Sequence, residues 1–353
     1  MTQTHRLLGS LALGLTLVAC APADPYQQVS ASLAENLLLP AHRQWAESNQ
    51  QLAASAQALC AGEQSLSEAR GHFLAAQQSW AALQPLLVGP MSEGNRSWQV
   101  QFWPDKKNLV ARQVEQLLQR QPQLESLDKA SVVVKGLSAY EYLLFDPALN
   151  LDDASQRQRY CPLLQAIGRH QAALGGEVLE LWQAPQGMLA QLQSSPNSRY
   201  ADGHEALGDL LRVQISALDG LKKKLGTPLG RQSRGLAQPL QAEAWRSQAS
   251  LSNLAASLAS AEALWHGSAD DGVRSLLDAQ HADLAERIDQ AYAETRTRLA
   301  ALDRPLAELL ASSEGKQALD ALYDSLDRLH RLQESELAAA LQVQLGFNAH
   351  DGD

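Results

Sequence analysis

Apolar side chains recur at steps of four and seven along most of this chain, a spacing that places them on one face of a helix and not of a strand. The composition agrees: the chain is rich in Ala, Leu and Gln while β-branched residues are scarce, so local propensity favours helices almost throughout. Over 26–61 the stripe is Val29, Leu33, Leu37, Trp45, Leu52, Ala56 and Leu59, with Pro40 expected to kink or interrupt it. A capping box, Ser65 with Glu68, starts the next helix, which carries Phe73, Trp80, Leu83 and Leu87 and ends at Gly89-Pro90. Further helices are expected over 106–120, 127–145, 154–193, 204–225, 242–265, 273–302 and 314–345, with Gly175-Gly176 as a break within 154–193. The fold class is therefore all-α, with two groups of about four helices forming two helical-bundle domains. The cluster Ser194-Ser195-Pro196-Asn197-Ser198 marks the boundary, giving a first bundle over 26–193, a linker over 194–204 and a second bundle over 205–353.

The N-terminus has a different character. Arg6 precedes an uncharged apolar run, Leu7 to Ala19, in the layout of a secretory signal peptide; the run is too short to span a bilayer, which takes about 20 apolar residues. It ends in Leu17-Val18-Ala19-Cys20, which resembles the lipobox of bacterial lipoproteins. On that reading residues 1–19 are removed, Cys20 carries the acyl chains, residues 20–25 form a lipidated linker, and the body is held at a membrane by its lipid alone. The alternative is an ordinary signal peptide cut elsewhere. Ala21, standing where an aspartate would follow the cysteine, points to the periplasmic face of the outer membrane.

With Cys20 committed to lipid, Cys60 and Cys161 remain, and two cysteines in an exported chain are most simply read as one disulfide. Two free thiols on a soft metal are the alternative, for which no CxxC or CxH spacing is present. The formal net charge of −10 argues against nucleic acid as a partner, which would select a basic stripe.

No HExxH, GxSxG or phosphate-cradling glycine loop occurs, and the histidines are scattered; His330 and Glu334, at i,i+4, read as an exposed pair. The stretch 91–105 is dense in aromatics, with Trp98, Phe102 and Trp103, and suits either the plugging of a bundle end or a binding platform. A different segment interrupts an apolar helix with a polar pair. In Gly136-Leu137-Ser138-Ala139-Tyr140-Glu141-Tyr142-Leu143-Leu144, Ser138 and Glu141 stand at i,i+3 on one face, and a carboxylate there must be solvated, hydrogen-bonded or charge-paired.

This segment resembles the GxHxxE helix of the imelysin-like proteins, the M75 peptidase family. Further matches follow in order: Leu59-Cys60, Arg96 through Phe102-Trp103-Pro104-Asp105, Arg159-Tyr160-Cys161, and the ending Gly346-Phe347-Asn348-Ala349-His350-Asp351-Gly352-Asp353. The resemblance implies two helical bundles with a groove that holds Gly136, Ser138 and Glu141, with Arg96, Trp103 and Asp105 nearby as structural or ligand-contacting residues. It also implies that Cys60 and Cys161 are partners. Family members are exported, often lipid-anchored, and linked to iron acquisition, and some are described as metallopeptidases; iron, zinc and haem are the ligands to consider, and an envelope protein is the alternative partner. This chain departs from the motif where histidine becomes Ser138, a poor transition-metal ligand, leaving Glu141 as the one metal candidate of the motif. The leading expectation is thus a non-catalytic binding or accessory protein, with an M75-type metallopeptidase using a rearranged site, or a structural adaptor, as alternatives.

Overall fold

The computed structural model describes residues 24–120, 124 and 127–345; the expected signal peptide over 1–19, Cys20 and the ending 346–353 lie outside the described residues. In chain order the helices are α1 (Pro25–Leu33), α2 (Leu39–Ala61), α3 (Leu66–Leu83), α4 (Leu109–Gln119), α5 (Val132–Lys135), α6 (Leu137–Phe145), α7 (Ala154–Gln183) and α8 (Met188–Gln193). They continue with α9 (Gly203–Leu229), α10 (Ser250–His266), α11 (Ala282–Ala300), α12 (Leu306–Leu310), α13 (Ser313–Arg331) and α14 (Ala338–Ala340). Among the described residues there is no strand, and no helix is long and apolar enough to cross a membrane.

Two helical bundles result. In the first, α2 lies between α7 and α3; in the second, α9 and α11 pack on α13. The bundles are joined through α10 against α3 and α1 against α9, and one apolar cluster runs from Val29 to Val343 through both. The pairing of α2 with α7 follows from small residues at heptad spacing. A Cβ on Gly168 would lie 3.0 Å from Ala53 Cα, and one on Gly175 would lie 3.1 Å from Ala46 Cα, so the two backbones approach where side chains are absent. One more step along the same antiparallel register brings Cys161 to Cys60, and the two are disulfide-bonded.

Several helix expectations need correction. Gly175-Gly176 does not break α7, because Gly175 is what lets α2 come close; the break falls later, after Gln183, where Gly187 sits against the carbonyls of Leu181 and Trp182. Pro40 interrupts the α-helical run as expected, though without ending the helical path: it stands in the first turn of α2, and the preceding turn, Ala34–Leu38, widens to π geometry where the proline has no N–H to give. The tract 127–145 splits into α5 and α6 at Gly136, and the tract 242–265 becomes helical only from Ser250. Likewise 273–302 is helical from Ala282, after two 3-10 turns, and the Asp278 side chain caps the second turn. Ser65 and Glu68 form the expected capping box.

Candidate functional site

Gly136 begins the site. Its backbone is extended, and the segment around Val100 passes so close that a Cβ would lie 2.7 Å from the Val100 carbonyl oxygen. Only glycine leaves room for that approach, and Leu137 N–H then donates to the same carbonyl at 2.7 Å. The next polar residue repeats the pattern. The Ser138 hydroxyl donates to the Phe102 carbonyl at 2.7 Å and accepts from the Phe102 N–H at 3.2 Å, so it acts as a two-point clip for an irregular segment.

One turn on, Glu141 is 4% exposed and faces the loop 242–249. Its Oε1 accepts both the Ser247 N–H at 2.8 Å and the Ser247 hydroxyl at 2.7 Å. Burial pushes the Glu141 carboxyl above the usual range; the two bonds from Ser247 and the Arg246 charge oppose that shift, and Glu243 adds to it. The surrounding charges are paired. Arg246 binds Asp146 at 2.9 Å and Asn108 at 2.6 Å, with its guanidinium over the rings of Trp245 and Tyr142, and Glu243 binds Lys224 of α9 at 2.6 Å. The loop that makes these contacts holds Ala244 and Gln248 in the left-handed region, at φ 54° and 59°, a conformation that L side chains adopt only when their surroundings impose it.

Other residues singled out in the sequence are dispersed. Trp103 is close in the chain to the Ser138 clip and reaches across to the second bundle, its Nε1–H donating to the Gln241 carbonyl at 2.9 Å. Asp105 caps α4 through the Leu109 and Val110 N–H groups. Arg96 points elsewhere, binding Glu177 of α7 at 2.8 Å and the carbonyls of Pro90 and Glu93. Trp98 is 69% exposed, whereas Phe102 and Trp103 are half-buried. His330 is not exposed as its spacing suggested: it is buried beside Lys222 of α9 and lies 3.6 Å from Glu334, and burial lowers its pKa. The residues missed by sequence reasoning are Lys224, Glu243, Arg246 and Ser247, the second-bundle half of the site. The spacing predicts a continuous helix where three of these form a loop, and no local pattern marks them.

The donor set does not suit a resident transition metal. Ser138 spends its hydroxyl on Phe102, Glu141 spends Oε1 on Ser247, and a guanidinium lies beside the carboxylate where a metal site would gather further acidic or imidazole ligands. Among the described residues no three His, Cys, Asp or Glu side chains come together in a way that would hold a metal ion.

A two-bundle helical fold with a Gly136-Ser138-Glu141 helix facing its partner bundle defines a class, and comparison with known proteins agrees with it. The imelysin model, peptidase M75, matches residues 38–333, and the chain belongs to that family. An iron-regulated protein A from Synechococcus elongatus is 25% identical over 278 residues, covering 74% of this chain and 73% of that protein. The solved structure of an imelysin-like protein from Psychrobacter arcticum superposes with a TM-score of 0.72 at 21% identity, covering 92% of this chain and 97% of that one. A second solved structure, from Parabacteroides distasonis, gives a TM-score of 0.69 at 14% identity over 89% of this chain and 96% of that one.

Proposed function

We propose that the protein is a non-catalytic binding or accessory protein of bacterial iron or haem acquisition, held at the periplasmic face of the outer membrane by acyl chains on Cys20. The observation that carries the non-catalytic reading is the use made of the motif: Ser138 clips the backbone at Phe102, and Glu141 clasps Ser247 of the second bundle. Both polar side chains of the motif hold protein to protein. The iron-related part is supported by membership of the imelysin family and by the name of the Synechococcus relative, iron-regulated protein A. The anchor is supported by the signal-peptide layout and by Cys20 directly after Ala19.

Growth under iron limitation tests the role. A strain lacking the protein is expected to fall behind its parent when iron is scarce and to match it when iron is plentiful, with Glu141→Gln restoring growth as well as the natural chain does. Equal growth of the two strains in scarce iron contradicts the role. Failure of Glu141→Gln, made at normal level, contradicts the non-catalytic reading. Labelling with a fatty acid, lost in Cys20→Ser, checks the anchor.

A further inference from the structure

Beside the clasp, on the solvent side of loop 242–249, lies a groove of 330 Å³ whose lining includes Asp105, Lys106, Lys107, Asn108, Leu240 and Trp245. That is the small end of the range for ligand pockets, about 300–1,000 Å³. Its charge is unlike that of the molecule. The chain carries −10, yet Lys106 and Lys107 are exposed and make no ion pair among the described residues, while the one carboxylate of the lining, Asp105, is committed to the N–H groups of Leu109 and Val110. Behind them the Arg246 charge is matched by Asp146. The lining therefore sets two ammonium groups against one carboxylate, a net positive charge on an acidic molecule.

Its walls are fixed. Trp103 ties the 103–108 wall to the Gln241 carbonyl, Gln241 Nε2 donates to Gln238 at 3.1 Å, and Arg246 holds Asn108, which sits in the left-handed region at φ 50°. Leu240, 61% exposed, and the indole of Trp245 add apolar surface beside the ammonium groups. A preformed site of this size, cationic and partly apolar, suits a compact molecule with several carboxylates on a short carbon frame.

We propose that this groove binds a small polycarboxylate anion and, resting on the iron-related reading above, that iron arrives there as the ferric chelate of such an anion. Lys106 and Lys107 neutralise the carboxylates, the Asn108 amide orients them, and Leu240 and Trp245 cover the carbon frame. The iron stays within its chelate; no bond to the metal is asked of the protein.

Calorimetric titration of the purified protein with citrate and with ferric citrate at low salt tests this. Saturable one-to-one binding is expected, weakened about tenfold in Lys106→Gln/Lys107→Gln, since exposed pairs of this kind contribute up to about 1 kcal/mol each. Lys129→Gln/Lys223→Gln removes the same charge outside the lining and should leave binding unchanged; thermal melts confirm that both variants fold. Absence of binding by either probe overturns the groove proposal, as does binding that the two double variants weaken alike. The iron reading stands or falls separately: lysine-dependent binding of citrate that iron does not tighten upholds the groove as a polycarboxylate site and removes the iron chelate as its ligand. Tight binding of ferric citrate that ignores Lys106 and Lys107 upholds the iron reading and overturns the groove.

Discussion

Among single residues, Glu141 carries the contact between the motif helix and the second bundle. Ser247 offers it an amide and a hydroxyl, and both donors are left without that acceptor in Glu141→Ala. Unfolding by urea should then show a loss of about 1–3 kcal/mol, the cost of leaving the Ser247 amide unmatched, since its hydroxyl also reaches the Ala244 carbonyl at 3.3 Å. Glu141→Gln keeps an acceptor oxygen and removes the charge, so its comparison with the natural chain isolates titration. Burial raises the folded pKa above the ordinary value of 4.5, so the folded protein binds this proton more tightly than the unfolded chain. The carboxyl's contribution is complete below the unfolded value and is lost as pH rises through the folded one. As pH rises above the ordinary carboxyl value, the stability of Glu141→Gln relative to the natural chain should therefore increase. Parallel profiles would contradict a buried, proton-retaining Glu141. The pair Ser138 and Glu141 is legible from its i,i+3 spacing in an apolar helix. Ser247 is not, because it lies 106 positions away in a segment with nothing locally unusual.

Among the elements, the pairing of α2 with α7 shows how one signal can be read in opposite senses. Gly175-Gly176 is a breaker when only its own segment is considered. In the folded chain Gly175 removes a side chain where Ala46 approaches, Gly168 does the same for Ala53, and the helix continues through both. The disulfide fastens that register at its end, closing a sequence separation of 101 residues. Replacing both cysteines by serine should lower stability by about 3–5 kcal/mol in chemical denaturation with helical circular dichroism retained, since a loop of this length loses much of its unfolded-state freedom when closed. An unchanged denaturation midpoint would show that the helix seam holds without its bridge. Here the cysteine count is informative: with Cys20 set aside as the expected lipid-attachment residue, Cys60 and Cys161 leave one pairing to consider. Loop 242–249 shows the reverse case. Its residues keep a helical periodicity, but Glu243 is drawn to Lys224, Arg246 to Asp146 and Ser247 to Glu141, and those distant bonds outweigh local propensity.

On the scale of the whole molecule, the helical class and the principal core stripes are written in periodicity that any segment carries by itself: Trp45, Leu52, Phe73 and Leu83 are all buried. The way the bundles meet is carried by pairs far apart in sequence, such as Trp103 with Gln241 and Arg246 with Asn108, and periodicity has no access to them. The motif helix lies at this meeting place, with α6 on α3 and α7 and its carboxylate turned toward the second bundle. On the function proposed above, this helix joins the two bundles and holds no catalytic metal. Elemental analysis and calorimetric titration with iron(II), iron(III) and zinc, run on the natural chain and on Glu141→Gln together with a chelator-controlled peptide-cleavage assay, test it most directly. The account predicts the same metal content in both proteins and no cleavage that a chelator abolishes; stoichiometric zinc lost in Glu141→Gln, together with chelator-sensitive cleavage by the natural chain, would contradict it.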